Sequence, residues 1–260
     1  MATPTKLIQS LSGRALGSAT TNGSAALGPI VPDVQAQQPS RNITLAGKYA
    51  SIVPISRAHA DDLWESLQAP DSASLFDYLF DEPYDSLDAL NSAIAKKAAA
   101  SETWTYAILR KSSSGPSKAV GMASLMRMDL PNRVIEVGSI LYSPTLQRTP
   151  CATEAMYLLA SYVFETLGFR RYEWKCNDLN APSRRAAVRL GFTYEGTFRQ
   201  HMIAKGRNRD TAWYSMLDWE WSATRRGFKQ WLDPSNFDAE GKQKRKLEAC
   251  MVEVSTKYDD

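Results

Sequence analysis

Between Ile140 and Glu154 the chain reads ILYSPTLQRTPCATE: the end of an alternating run, a loop at Gln147-Arg148-Thr149, then a helical pattern. Thr149 is a good N-cap and Pro150 suits the first helical position. The following amides, of Cys151, Ala152 and Thr153, lack partners within the helix. They point out of its positive end and suit a pyrophosphate. Arg148 adds a cation beside them. Most strand–loop–helix junctions bind nothing, so this one needs support from elsewhere in the chain.

Other residues offer further chemistry. Glu136 shares a strand face with Val134, Gly138 and Ile140, as a general base or as half of an edge ion pair. His201, beside Arg199 and Gln200, is a base near neutral pH or a surface polar residue. Cys176 alternates with Tyr172 and Trp174 on an apolar face and reads as core packing, not as a nucleophile. Basic residues crowd the stretch from Arg170 to Arg209, Arg184, Arg185 and Arg189 among them. They suit phosphate, an acidic substrate or plain solvation. With two histidines and three cysteines at no zinc spacing, a metal site, a serine–histidine–aspartate triad and a disulfide framework are all poorly supplied. The net charge of +3 is too small to imply nucleic acid by itself. No apolar run approaches the roughly 20 residues of a membrane span.

The elements that must position these groups follow from periodicity. Tyr49–Pro54 is a strand. Ser56 caps a helix through Leu63, Trp64 and Leu67, Ser74–Phe80 forms a second helix, and a third starts at Ser86. Trp104–Lys111, Ala119–Met128 and Arg133–Tyr142 then alternate, separated by turns at Gly115-Pro116 and Pro131-Asn132, which makes an antiparallel meander. A helix follows, with Ala155, Met156, Leu159, Val163 and Leu167 on one face and Gly168 at its end. Next come a strand at Arg171–Asn177, a short helix from Pro182 to Leu190, and strands at Phe192–Arg199 and Thr211–Trp221. The class is α+β around one central sheet.

Two stretches resemble a known family. Gln147-x-x-Pro150-x-Ala152 looks like the Gln/Arg-x-x-Gly-x-Gly/Ala pyrophosphate loop of the GNAT superfamily of acetyltransferases, with proline in place of the central glycine. Arg171–Arg199 resembles the RimJ/RimL-like branch. Asn180, Ser183, Leu190-Gly191-Phe192, Glu195-Gly196 and Arg199 occupy its motif positions, and Gly206, Arg209-Asp210 and the strand through Trp213 also fit. The resemblance runs from Tyr49 to Trp221 and is sharpest from Glu136 onward. It implies a GNAT-like acyl-CoA N-acyltransferase fold with a central mixed, mostly antiparallel sheet flanked by helices. Acetyl-CoA is expected in a splay between the fourth strand, Arg133–Tyr142, and the fifth, Arg171–Asn177. Its pantetheine would meet the main chain of Ile140, Leu141 and Tyr142. Its pyrophosphate would meet Gln147, Arg148, Thr149, Cys151, Ala152 and Thr153. Asn180 would orient the cofactor or the loop, and Arg184 or Arg185 would meet phosphate. An amine would attack the thioester directly, with Ser183 protonating the departing sulfur and Glu136 acting as base. On the residues alone, Ser183 is equally a first-turn serine and Asn180 a turn residue.

The expected function is therefore N-acetyl transfer from acetyl-CoA, without a metal, to a small-molecule amine or a protein N-terminus. The basic lobe suits an acceptor with acidic groups. A non-catalytic acyl-CoA sensor of the same fold is the alternative, and a nucleic-acid binder is a third reading that no motif supports. Expected boundaries are a disordered extension at 1–46, a catalytic domain at 47–222 and a partly disordered helical tail at 223–260. The partners are acetyl-CoA and an amine, with a homodimer open and neither membrane nor nucleic acid expected. The expected compartment is cytoplasmic. Lys6 and Arg14 in a lead free of acidic residues before Asp33 leave a mitochondrial transit peptide as the alternative.

Overall fold

A computed structural model describes residues 27–70, 72–112 and 114–256. The transit-peptide reading falls on residues outside that set. The chain divides into Met1–Val34 and Gln35–Asp260. Within the first unit, residues 27–34 hold no regular element and are exposed. All that follows concerns the second.

Eight strands form one sheet: β1 (Leu45–Ala46), β2 (Ala50–Pro54), β3 (Thr103–Arg110), β4 (Lys118–Asp129), β5 (Val134–Tyr142), β6 (Arg171–Asn177), β7 (Thr193–Ala204) and β8 (Arg207–Leu217). Their order is β1-β2-β3-β4-β5-β6-β8-β7. Every neighbouring pair is antiparallel except β5 and β6. Between those two the chain crosses over through a helix, as a parallel pair requires. The meander read from alternation is present as β3, β4 and β5. The mixed, mostly antiparallel α+β sheet stands as expected.

Alternation distributes the strands' side chains between two cores. Tyr106 and Ile108 of β3 belong to one and Ala107 to the other. Helices α1 (Ala60–Ser66) and α2 (Leu87–Ala99) bury Leu63, Leu90 and Ile94 in the smaller core. The larger core takes buried side chains from α3 (Pro150–Ser161), α4 (Ala181–Arg189), α5 (Asp218–Leu232) and α6 (Leu247–Thr256). Ser86 caps α2, its Oγ accepting from the amide of Ala89 at 3.1 Å. A π-helical stretch, Tyr162–Thr166, prolongs α3, and Gly168 at φ +74° turns the chain toward β6.

Several boundaries differ from expectation, among them the end of β7 at Ala204 in place of Arg199 and the start of β8 at Arg207 in place of Thr211. Residues 35–46 are tied to the domain instead of trailing from it. The Gln37 amide donates to Leu167 O at 2.8 Å, the Ser40 amide to Tyr162 Oη at 2.8 Å, and Arg41 to Ala100 O at 2.6 Å. Ser74–Phe80 is no helix: a 3₁₀ stretch at Ser72–Phe76 gives way to turns. The last strand ends at Leu217, not Trp221. Glu220 accepts from the Leu217 amide at 2.7 Å and starts α5 there, so Trp221 packs from a helix and Trp219 stands exposed. The tail beyond Glu240 is docked, with Leu247 and Cys250 of α6 buried.

Candidate active site

The parallel pairing of β5 with β6 is short. It joins Val134 to Arg171, Ile135 to Tyr172, Glu136 to Glu173 and Val137 to Trp174, and then stops. Both strands continue, but apart. The cause lies on the β4 side: Ser124 faces Gly138 while Met122 faces Leu141, so β5 carries one extra residue. Ser139 takes φ +47° within this bulge, which bends the strand away. From Gly138 onward β5 has no partner on its β6 side. A cleft of about 1500 Å³ opens at this fork, its walls including Gly138 to Tyr142, Trp174 to Asn177 and Ser183. Ile140, Leu141 and Tyr142 thus stand on the cleft, as the splay expectation requires.

The start of α3 forms one end of the cleft, with Gln147, Arg148, Thr149, Ala152 and Thr153 on its wall. Thr149 is the N-cap, its Oγ1 accepting from the Ala152 amide at 3.2 Å. That amide is therefore already paired, and the Thr153 amide donates to Thr149 O at 3.4 Å. The strained backbone position falls on Arg148, at φ +60°, one residue before the cap. Pro150 at the first helical position escapes any need for positive φ. Gln147 donates through Nε2 to Tyr142 O at 3.1 Å, linking the loop to the end of β5. Among the described residues the Arg148 guanidinium has no ionic partner, and it is exposed. Of Cys151 the expectation concerned the backbone amide; its side chain lies in the core, and burial pushes the thiol up to about 12.

Helix α4 brings Asn180 and Ser183 to the fork. Asn180 caps it, its Oδ1 accepting from the Ser183 amide at 3.0 Å. The Ser183 Oγ accepts from Trp174 Nε1 at 3.0 Å, at the last β5–β6 pair. With the indole donating to the oxygen, the hydroxyl proton is left to be given elsewhere. Cys176 also lies within hydrogen-bond reach of Ser183, and desolvation raises its thiol pKa. A thiol so held is a poor nucleophile. Arg184 corrects the phosphate expectation. Its guanidinium donates to Asp178 Oδ1 at 2.8 Å and to Tyr214 Oη at 3.2 Å, so it braces α4 against β8. Its neighbour Arg185 is exposed on the cleft wall. Arg189, one turn on, reaches Thr153 Oγ1 at 3.1 Å and links α4 to the start of α3.

The opposite face of the fork is ionic. Glu136 is 3 % exposed, not at an edge. Lys175 Nζ lies 2.8 Å from its Oε2, and Arg127 Nη1 lies 3.2 Å from the same oxygen. Lys175 also meets Glu173 at 2.6 Å and sits 3.9 Å from the Trp213 ring centre. Arg127 reaches in from a bulge of β4, at φ +48°. His201 is exposed and off the cleft wall, its Nδ1 3.0 Å from Thr211 Oγ1. Its pKa is lowered by desolvation and then by Arg127, Arg209 and Lys175. Alternation puts Glu173 and Lys175 on one face of β6, but their meeting with Glu136 depends on the β5–β6 register, which no local pattern encodes.

The sequence reading also missed the tail's part in the site. Trp231, Phe237, Lys242 and Glu248, all beyond β8, line the cleft. Trp231 lies under the Arg189 guanidinium, 5.1 Å from ring centre to Cζ. The signal was the tail's aromatics, which mark docking but not where.

Residues 51–193 match a family model described as "Acetyltransferase (GNAT) domain". A solved GCN5-related N-acetyltransferase from Brucella melitensis is 42% identical, covering 84% of this chain and 97% of that one, with a TM-score of 0.80. A structure from Chromobacterium violaceum, described as a probable acetyltransferase of the GNAT family, is 36% identical over 76% of this chain and 100% of its own, with a TM-score of 0.67. A curated relative from Bacillus subtilis, "Putative ribosomal N-acetyltransferase YdaF", is 33% identical over 101 residues, 39% of this chain, and the match spans about half (55%) of that relative's length. By the family model and by these relatives, the chain belongs to the GNAT acetyltransferase family.

Proposed function

We propose that the protein transfers the acetyl group of acetyl-CoA directly to an amine, of a small molecule or of a protein N-terminus. One observation carries the reading. The fork between β5 and β6 is reached from both faces of the sheet, with Ser183 and the α3 start on one and Glu136 and Arg127 on the other. Two reactants can then approach one point without sharing an entrance.

The residues present fit acetyl-CoA, which when bound supplies an acetyl thioester. The unpaired edge of β5 at Gly138–Tyr142 offers main-chain groups to an extended chain such as pantetheine. Arg148 and Arg185 offer cations to its phosphates. Ser183 holds a proton at Oγ, beside the fork, for the thiolate that leaves as the nitrogen–carbon bond forms and the carbon–sulfur bond breaks. The attacking amine must first lose its own proton. Glu136, whose Oε2 is held by two cations, would take that proton through water in preference to direct contact.

Held so firmly, Glu136 is also the observation that favours the second reading, an acyl-CoA sensor without turnover. Two measurements decide. Acetyl-CoA is expected to raise the melting temperature, whereas ATP is not. Incubation with an amine panel that includes peptides is expected to release thiol. Binding without thiol release from any amine selects the sensor; absence of binding rejects both. Ser183→Ala is expected to lower kcat at least about tenfold with little change in acetyl-CoA affinity. An unchanged kcat would remove Ser183 from the acid role.

A further inference from the structure

On the Glu136 face of the cleft, one buried cation has no ionic partner among the described residues. Arg209 of β8 is 7 % exposed and lines the cleft. Its Nε is buried without a hydrogen-bond partner, and among the described residues no carboxylate pairs with its guanidinium. The ring of Phe80 packs on it, 5.2 Å from ring centre to Cζ. A buried cation without a counter-ion is among the costliest arrangements a fold can hold.

The carboxylates nearby are already committed. Glu136 is shared by Lys175 and Arg127. Glu173 is taken by Lys175 and by Arg171, the latter at 2.7 Å. Asp81, on the loop that carries Phe80, is held by Lys97 at 2.8 Å. Asp77 remains, exposed on the rim. The wall formed by Arg127, Lys175 and Arg209 against Glu136 and Glu173 thus has a surplus positive charge, and it resides at Arg209. Desolvation and the repulsion of Arg127 lower the Arg209 pKa, and the attraction of Glu136, already shared by two other cations, only partly opposes them.

Position says which reactant supplies that partner. Arg209 alternates with Thr211 and Trp213 along β8, and Trp213 stacks on Lys175. Arg209 therefore stands on the Glu136 face of the fork, away from the start of α3. It stands two residues from Thr211, which pairs with Asn177 of the cleft wall, so it faces the same cleft as Trp174 and Ser183. A planar guanidinium covered on one side by an aromatic ring suits a planar, two-oxygen anion.

We propose that Arg209 anchors a carboxylate of the acceptor, so that the preferred substrates are small amines bearing a carboxylate close to the nitrogen, of amino-acid type. This rests on the acetyl-transfer reading above and gives it a substrate class. The test is steady-state thiol release by the full chain with free amino acids and their matched carboxamides, with kcat/KM expressed per unprotonated amine because removing the carboxylate also lowers the amine's pKa. The carboxylates are expected to lead their amides by roughly tenfold or more in kcat/KM. Arg209→Met is expected to bring that ratio close to one, mainly through KM for the acid, and Arg209→Lys to restore part of it. Melting curves with acetyl-CoA establish that each variant is folded and binds cofactor. A wild-type ratio near one, or a ratio that survives in Arg209→Met, overturns the proposal. So does equal loss of kcat for acid and amide, which would make Arg209 a stabiliser of the reacting oxygen. Thiol release from other amines but from no amino acid overturns the substrate class while leaving acetyl transfer standing. Failure of acetyl-CoA to bind rejects the parent reading instead.

Discussion

Glu154 shows how much one side chain can decide. It is buried in the first turns of α3, yet its carboxylate accepts from the amides of Lys48 at 2.8 Å, Tyr49 at 2.6 Å and Ala50 at 2.7 Å. Gly47 leaves room for it: a Cβ there would stand 2.3 Å from the Glu154 Cδ. Strand β2 is thereby pinned to the helix that begins the cofactor end of the cleft. Glu154→Ala strands three donors at once and is expected to cost about 3 kcal/mol in urea unfolding, with Glu154→Gln about half that. Nothing in the sequence pointed to this role, because its three partners lie more than a hundred positions away. Thr149 was legible as a cap because its donor lies three positions on. Asn180, expected as a turn residue or a cofactor contact, caps α4 through the Ser183 amide. Arg184 and Arg185 could not be told apart from the sequence, since adjacent helix positions point in different directions and only packing shows which one meets Asp178.

Among the elements, β6 was read to the residue and β8 was not. The former is bounded by turn signals and alternates cleanly, whereas the strand-to-helix change at Leu217 is carried by a single carboxylate, Glu220. The β6–β8–β7 end of the sheet is held in part by Arg171, whose Nε meets Glu173 and whose Nη1 donates to Glu195 at 2.8 Å. Arg171 above all, with help from Ser215, holds the Glu195 carboxyl below its usual value of 4.5. A carboxyl depressed in the folded state stabilises fully above its unfolded pKa and loses that contribution as pH falls through the folded one. Melting temperature is therefore expected to fall more steeply below about pH 4.5 in the wild type than in Glu195→Gln. The two curves should converge at the acid end. Parallel curves would mean that the bridge contributes nothing.

For the whole molecule, the segment beyond the family match matters as much as the match. The family model ends at residue 193, but Trp231, Phe237 and Lys242 wall the same cleft. Their support is the contact of α6 with α5. There Gly227 allows close approach: a Cβ would lie 2.6 Å from Met251 Cγ and 3.0 Å from its Cα. Gly227→Ala must lift α6, so it is expected to cost about 1–3 kcal/mol. It should also open the 238–246 stretch to limited proteolysis and weaken acetyl-CoA binding severalfold. Undiminished binding would show that the tail merely covers the core. The sequence made the sheet legible because period-two patterns are local, and left the tail obscure because its value lies in what it touches.

The brevity of the β5–β6 seam has a mechanical consequence. Four ladder pairs join β5 to β6 across that line, with the Glu136–Lys175 ion pair beside them. The sheet is accordingly two plates clasped near one edge and gaping at the other. A guest lodged in the gape would grip both plates and act as a second clasp, so rigidity of the assembly and occupancy of the gape rise together.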